Sequence, residues 1–294
     1  MTHRTATLSC FAGFALAVAT ASALVVPARA AEPPIYSQAP AKGATAHLHD
    51  AWDEILRAHV ADGRVDYVGL AGKDLAKLDR YLSRLAAVQA DTLPGPDRIA
   101  FWINQYNATL VRVACARWHD GWGPDENNFE LFRAPIVQTP DGAMPLDALQ
   151  HVVLMRRLPD VRVNAALCKG AVGFPRLRSG AYHGADVDSL LEDDMRAFVA
   201  DPARNRFDDS RRVATLSPVF ELVMRTNGED EFRAWLEAYA GRKLAGWTLE
   251  FAEWDWRVNA KGAPEPRLVP AKPAAAPAAP APATPAPSAK PKRR

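Results

Sequence analysis

One stretch limits what this chain can fold into more than any other: Asp97 to Trp118, DRIAFWINQYNATLVRVACARW. Pro94-Gly95-Pro96 introduces it, Asp97 is a natural N-cap, and Gly121 with Pro124 supplies a stop signal beyond it. Ile99, Ile103, Tyr106, Leu110 and Val113 recur at helical spacing, and Trp102, Val111 and Ala114 widen that stripe until almost no face is left for water. A helix apolar nearly all the way round belongs inside a core, so the other elements have to wrap it. Asn104 and Asn107 lie three residues apart on one face of it, in surroundings too apolar to leave amides unpaired. The first expectation is that the pair clamps neighbouring backbone; the second is that it faces a ligand.

Both ends of the 294-residue chain read as something other than fold. Residues 1–30 place His3 and Arg4 before an apolar run from Phe11 to Val26 and end in Ala28-Arg29-Ala30, the pattern of a secretory signal peptide. The run is slightly long, which keeps an uncleaved membrane anchor as the minority reading. Residues 31–45 are a lead-in, residues 46–262 the domain, and residues 263–294 a Pro/Ala-rich basic tail expected to be disordered because it has no core to bury. The chain carries +2 overall, and the six charges after Pro266 are all basic, so the domain itself is mildly acidic. An acidic domain lacks the basic footprint that nucleic acid requires, while the tail suits contact with an anionic surface.

Cys115 and Cys168 are the only cysteines of the mature chain and do not make a disulfide scaffold; they read as buried small residues. The sequence has no Cys/His cluster at metal-ligand spacing, no G-x-S-x-G elbow, no P-loop and no dinucleotide fingerprint, so neither metal nor cofactor is expected.

Periodicity predicts helices over 46–61, 73–87, 145–157, 186–200, 217–224 and 229–239, and strands over 64–68, 136–139, 143–144, 161–167, 247–251 and 254–259. Residues 122–134 read as an irregular surface loop. Asp147 and His151, four apart on the helix from Pro145, are spaced for a carboxylate to orient an imidazole and favour its charged form. Val161 to Leu167 alternates and feeds the glycine-containing loop KGAVGFP, with Lys169, Arg176 and Arg178 beside it, a place where an anion can be held. Cys168 with His151 or His183 is the Cys/His combination near that segment that nucleophilic catalysis could use.

Ala100-Phe101-Trp102-Ile103-Asn104-Gln105-Tyr106-Asn107-Ala108 resembles the signature of the domain-of-unknown-function 547 family, and Gly63, Val65, Asp66 and Tyr67 match a second family step. Asp255 and Asn259 match the family's closing Tyr-Asp-Trp-x-x-Asn. The resemblance implies a fold more readily than an activity. It also marks departures: Gln150 stands where the family has Glu, Asn164 where it has His, Lys169 and Phe174 where it has two cysteines, and Leu222-Val223 where it has Trp-Tyr. If relatives are thiol hydrolases, the resemblance implies that their nucleophile is absent here, with Cys168 one residue away from the first family cysteine.

These observations predict an α+β fold: a helix-rich single domain with a small, mostly antiparallel sheet around a central buried helix. The leading functional expectation is an exported protein, periplasmic in a Gram-negative bacterium, acting as a non-catalytic or altered-chemistry binding or accessory protein for a small molecule or envelope component. Its pocket is expected between the central helix, the His151 helix and the segment 164–178, with Asn104, Asn107, Asn164, Lys169, Arg178 and Tyr182 as ligand-binding residues. The alternative is a thiol-dependent hydrolase or acyl-transfer enzyme using Cys168 and His151. A third reading is a structural envelope protein whose tail makes the contacts.

Overall fold

The expected central helix is α4 (Gly95–Arg117), and every residue from Ala100 to Val111 along it is buried, amides included. It starts two residues ahead of Asp97, with Pro96 in its first turn, because a proline there gives up only an amide that had no partner. The computed structural model describes residues 47–271. The expected signal peptide, the lead-in to residue 45 and the tail past residue 271 lie outside the described residues.

The N-terminal part lays amphipathic helices on α4. In α1 (Asp50–His59) acidic residues occupy the first turn and basic ones the last, in keeping with the helix dipole, and Trp52, Ile55 and Leu56 face inward. Strands β1 (Val60–Ala61) and β2 (Arg64–Val65) pair antiparallel through a turn at Asp62-Gly63, both at positive φ. A Cβ on Gly63 would meet the Arg176 Cβ at 2.6 Å, so glycine is required there. The strand expected over 64–68 stops at Val65 because the Asp66 side chain accepts a hydrogen bond from the Gly69 amide at 2.9 Å and caps α2 (Tyr67–Lys73). Helix α3 (Leu75–Ala86) follows, with Leu78, Leu82 and Leu85 buried.

Beyond α4 the expected loop contains α5 (Glu126–Arg133), and β3 (Val137–Thr139) and β4 (Gly142–Met144) form the expected hairpin. Helix α6 (Leu146–Ala148) passes directly into a π-helix, Leu149–Arg157, whose wider turn closes with the Leu158 amide on the Val153 carbonyl. The strand expected over 161–167 is instead the short helix α7 (Val163–Ala166). Residues 163–168 are buried on all sides, so their alternation carried no facing information, and Asp160 turns the chain by accepting from the Arg162 and Val163 amides.

Helix α8 (Val187–Ala200) leads to β5 (Arg206–Asp208) and β6 (Val213–Leu216), then α9 (Val219–Asn227), α10 (Glu229–Ala240) and β7 (Thr248–Phe251). β5 pairs antiparallel with β6, and β6 pairs parallel with β7. The fold is therefore the helix-rich α+β arrangement expected, and among the described residues its strands are divided among three small sheets with one parallel pairing. Met195, Phe198, Phe220, Phe232 and Leu236 build a second core beside the one centred on α4. The strand expected over 254–259 is reduced to isolated bridges at Val258 and Ala260, although Asn259 is buried and takes the Tyr67 hydroxyl at 2.7 Å.

The bonded chain continues past the boundary placed at Gly262. Arg64 donates to the Ala263 and Pro264 carbonyls, Arg176 pairs with Glu265 at 3.1 Å, and the Glu253 and Ala271 amides bond the Val269 and Phe251 carbonyls. Residues 263–271 are thus held by main-chain and ionic bonds that composition alone does not reveal. Among the described residues no helix is long and apolar enough to cross a membrane.

Candidate functional site

The two α4 asparagines act as backbone clamps. Asn104 donates to the Tyr182 carbonyl at 2.7 Å and accepts from the Tyr182 amide at 3.1 Å; Asn107 donates to the Ala166 carbonyl at 2.9 Å and accepts from the Cys168 amide at 3.1 Å. Each amide thereby satisfies two buried main-chain groups that would otherwise cost about 1–3 kcal/mol apiece. The pair fixes segments 166–168 and 182 one turn apart along a single helix, and both side chains are used up inside the protein. Asn164 is spent locally, donating to the Val161 carbonyl at 2.9 Å.

Immediately after the second clamp, Lys169 leaves the core. Its Nζ donates to Gln150 Oε1 and lies 4.8 Å from the centre of the Phe132 ring and 5.2 Å from that of Tyr106. It forms a wall of a cleft of about 400 Å³ together with Asn128, Phe129, Phe132, Arg133, Asp147 and Trp256. Burial pushes the ammonium down to about 8, against the opposing pull of Asp147 and Cys168. Among the described residues no carboxylate forms an ion pair with Lys169, whereas Lys77, Lys243 and Lys261 each lie 3.0 Å from a carboxylate oxygen.

Three departures from ordinary backbone meet around this cleft. Asn127, Asn128 and Phe129 are all left-handed, with φ of 51°, 56° and 63°. Asparagine tolerates this region, but a non-glycine residue there costs about 1–2 kcal/mol, and Phe129 is a bulky one. The Phe129 ring meets Trp256 edge to face at 4.9 Å, packing that offsets part of the cost. Opposite, the π-helix carries Gln150 and His151, and Gly170 turns the chain at a φ of 71° directly after Lys169. Strained and widened backbone of this kind is concentrated at functional sites.

Asp147 and His151 are not hydrogen-bonded to each other, because the change from α to π winding between them removes the i, i+4 alignment on which that expectation rested. Desolvation and the neighbouring Lys169 charge lower the His151 imidazole, outweighing Asp147, so the site favours the neutral ring where the charged one was expected. Cys168 and His151 are not brought together either. The Cys168 side chain is fully buried, its thiol is pushed up to about 11 by that burial, and among the described residues no histidine is bonded to it. His151 lies on the exposed side of the π-helix. Cys115 is likewise a free, buried thiol, pushed up to about 12 by desolvation.

Arg178 and Tyr182 belong to a different cluster. Both donate to Asp194, Arg178 at 2.5 Å to one oxygen and the Tyr182 hydroxyl at 2.5 Å to the other, and burial raises the Asp194 carboxyl. Asp194 opens on a separate pocket of about 290 Å³ with Arg176, Phe198 and Asp201. The structure therefore divides the expected lining: Lys169 faces the aromatic cleft, Arg178 and Tyr182 are bonded to Asp194, and the three asparagines bond main chain. Reading the sequence missed Phe129, Phe132, Arg133 and Trp256. The Asn127-Asn128 pair, two residues suited to left-handed backbone, was the local signal for the first two.

Residues 90–199 match the family model described as "Protein of unknown function, DUF547", a span that includes both clamps, Gln150 and Lys169. The resemblance carried by Ala100–Ala108 is thereby supported over that segment. The chain matches no curated protein and no solved structure.

Proposed function

We propose that this domain-of-unknown-function 547 protein is an exported, periplasmic binding or accessory protein whose cleft at Lys169 takes a small anion with an apolar body. The observation that carries the reading is a lysine on the wall of an aromatic cleft with an amide as its side-chain partner and, among the described residues, no carboxylate in ion-pair contact. A cation in that position is an incomplete ion pair, and a ligand carboxylate completes it. Phe132 and Trp256 supply flat apolar surface for the rest of the molecule, and Arg133 adds a second positive charge at the exposed rim. The signal pattern of residues 1–30 supports export.

Calorimetric titration of the mature protein with benzoate and with benzyl alcohol tests the binding reading. Benzoate is expected to bind at least about tenfold more tightly, and Lys169→Met to erase that preference, since one charge-assisted hydrogen bond contributes about 1.5–3 kcal/mol. Equal affinity for the two probes, or benzoate binding that survives Lys169→Met unchanged, would overturn it. Cell fractionation with and without residues 1–30 tests export: the full chain is expected in the periplasm, cleaved after Ala30, and a cytoplasmic full-length chain would refute it.

A further inference from the structure

An amine that attacks carbonyl carbon needs four things: a lone pair free of a proton, freedom from a carboxylate that would hold that proton, open space in front of the nitrogen, and a group able to move protons during dehydration. Lys169 meets each of them. Its side-chain acceptor is the neutral Gln150 amide, its other flanks are the rings of Phe132 and Tyr106, and it opens into the 400 Å³ cleft. Asp147 shares the cleft wall without bonding Lys169, near enough to influence its charge. The paired lysines, Lys77, Lys243 and Lys261, are each 3.0 Å from a carboxylate oxygen. Tyr106, whose ring packs on Lys169, has a fully buried hydroxyl without a hydrogen-bond partner among the described residues.

We infer that Lys169 is an amine nucleophile that takes a carbonyl-bearing ligand, an aldehyde or a 2-oxo acid, as a reversible imine in the aromatic cleft. The inference rests on the binding reading above and names the ligand class. The neutral Nζ lone pair adds to the carbonyl carbon, and the carbonyl oxygen takes up a proton to give a carbinolamine. Nζ gives up one proton as the carbinolamine forms, the hydroxyl takes a second proton and leaves as water, and Nζ gives up its remaining proton as the C=N bond forms; one ligand and one amine give one imine and one water, with no oxidant or reductant. Asp147 is placed to relay these protons. The charged and titratable groups around the amine are Tyr106 on α4, Arg133 on α5, Asp147 on α6, His151 on the π-helix and Cys168 beside it. With the ammonium held at about 8 by burial, the free amine at neutral pH exceeds that of an ordinary lysine by about two orders of magnitude.

The test incubates the mature chain with 4-carboxybenzaldehyde and cyanoborohydride between about pH 6 and 10, followed by intact mass and peptide mapping. The expected result is one reduced adduct on Lys169, formed at least about tenfold faster than on Lys73 or Lys261, with a rate that rises through pH of about 8. Lys169→Arg is expected to give no preferred adduct with the aldehyde, while 4-carboxybenzoate, which cannot form an imine, is expected to bind the wild type. Adducts spread evenly over the lysines of the wild-type protein, while 4-carboxybenzoate still binds, would overturn the imine and leave the binding reading standing. Failure of 4-carboxybenzoate to bind wild type, with adducts spread evenly, would remove both.

Discussion

Replacing Gln150 by glutamate probes the electrostatics of the cleft with a change of one atom in the partner of Lys169. The family resemblance implies a glutamate at this position, so the variant also restores the family residue. In the wild type the ammonium is desolvated, is bonded to an amide and is only partly compensated by Asp147 and Cys168, and it titrates at about 8. A carboxylate in direct contact favours the charged form, and pairs of this kind shift the partner by about 1–3 pH units. The Lys169 midpoint is therefore expected between about 9 and 11, a gain of about 1.5–4 kcal/mol for the ammonium at neutral pH. Competitive acetylation with acetic anhydride over a pH series, with Lys169 followed by mass spectrometry and Lys73 as internal standard, reads the midpoint directly. The free amine at pH 7 falls tenfold or more, and imine trapping should slow in proportion. A midpoint that stays near 8 in a folded Gln150→Glu protein would refute both the contact and the account of the shift as burial only partly compensated.

Four further outcomes follow from the geometry. Asn107→Ala strands the Cys168 amide and the Ala166 carbonyl in the core and is expected to cost about 2–5 kcal/mol in urea unfolding, whereas a loss below about 1 kcal/mol would show that the clamp is dispensable. Tyr106→Phe deletes a buried hydroxyl that has no partner, so stability should be unchanged or higher, and a loss of more than about 1 kcal/mol would reveal a bond not accounted for. Burial and the His183 charge hold His49 down to about 3, while its unfolded value is near 6.5. Its neutral form therefore supports the fold fully above pH 6.5, and that support, up to about 5 kcal/mol, drains away as pH falls toward 3; His49→Gln should flatten the acid limb of a stability-versus-pH curve, and an unchanged limb would contradict this. Cys168 should resist iodoacetamide at neutral pH until the protein is denatured, and rapid labelling of the native state would revive a thiol chemistry.

The parts of the fold that were legible in the sequence are those where burial is one-sided. Helices α1, α3, α8 and α10 each turn an apolar stripe inward, and their periodicity shows it. Segment 161–167 misled because it is buried on every side from Val163 onward, so a short helix and a strand leave the same pattern. The π-winding of 149–157 was invisible for a different reason: inserting one residue into a turn changes facing and leaves composition untouched. In the site, Lys169 was legible from its place in a glycine-containing loop, but the aromatic wall was not. Phe132 and Trp256 lie far from Lys169 and from each other in sequence, and only the path of residues 252–260 across the fold brings Trp256 to the cleft. Asn104 and Asn107, also expected among the ligand-binding residues, bond main chain, the first of the two roles expected of them, because an amide in an apolar helix has few other ways to be satisfied.

The two clamps grip main chain alone. An amide N–H and a carbonyl oxygen are supplied by nearly every residue type, so the grip is indifferent to which side chains follow at 168, 169 or 183. Positioning and chemistry are thereby written in separate places: α4 fixes where the segment runs, and the side chains on it can be exchanged without moving it. A chain built this way has a socket that outlasts any particular tool fitted to it, and lysine standing where the family resemblance implies cysteine is one such exchange.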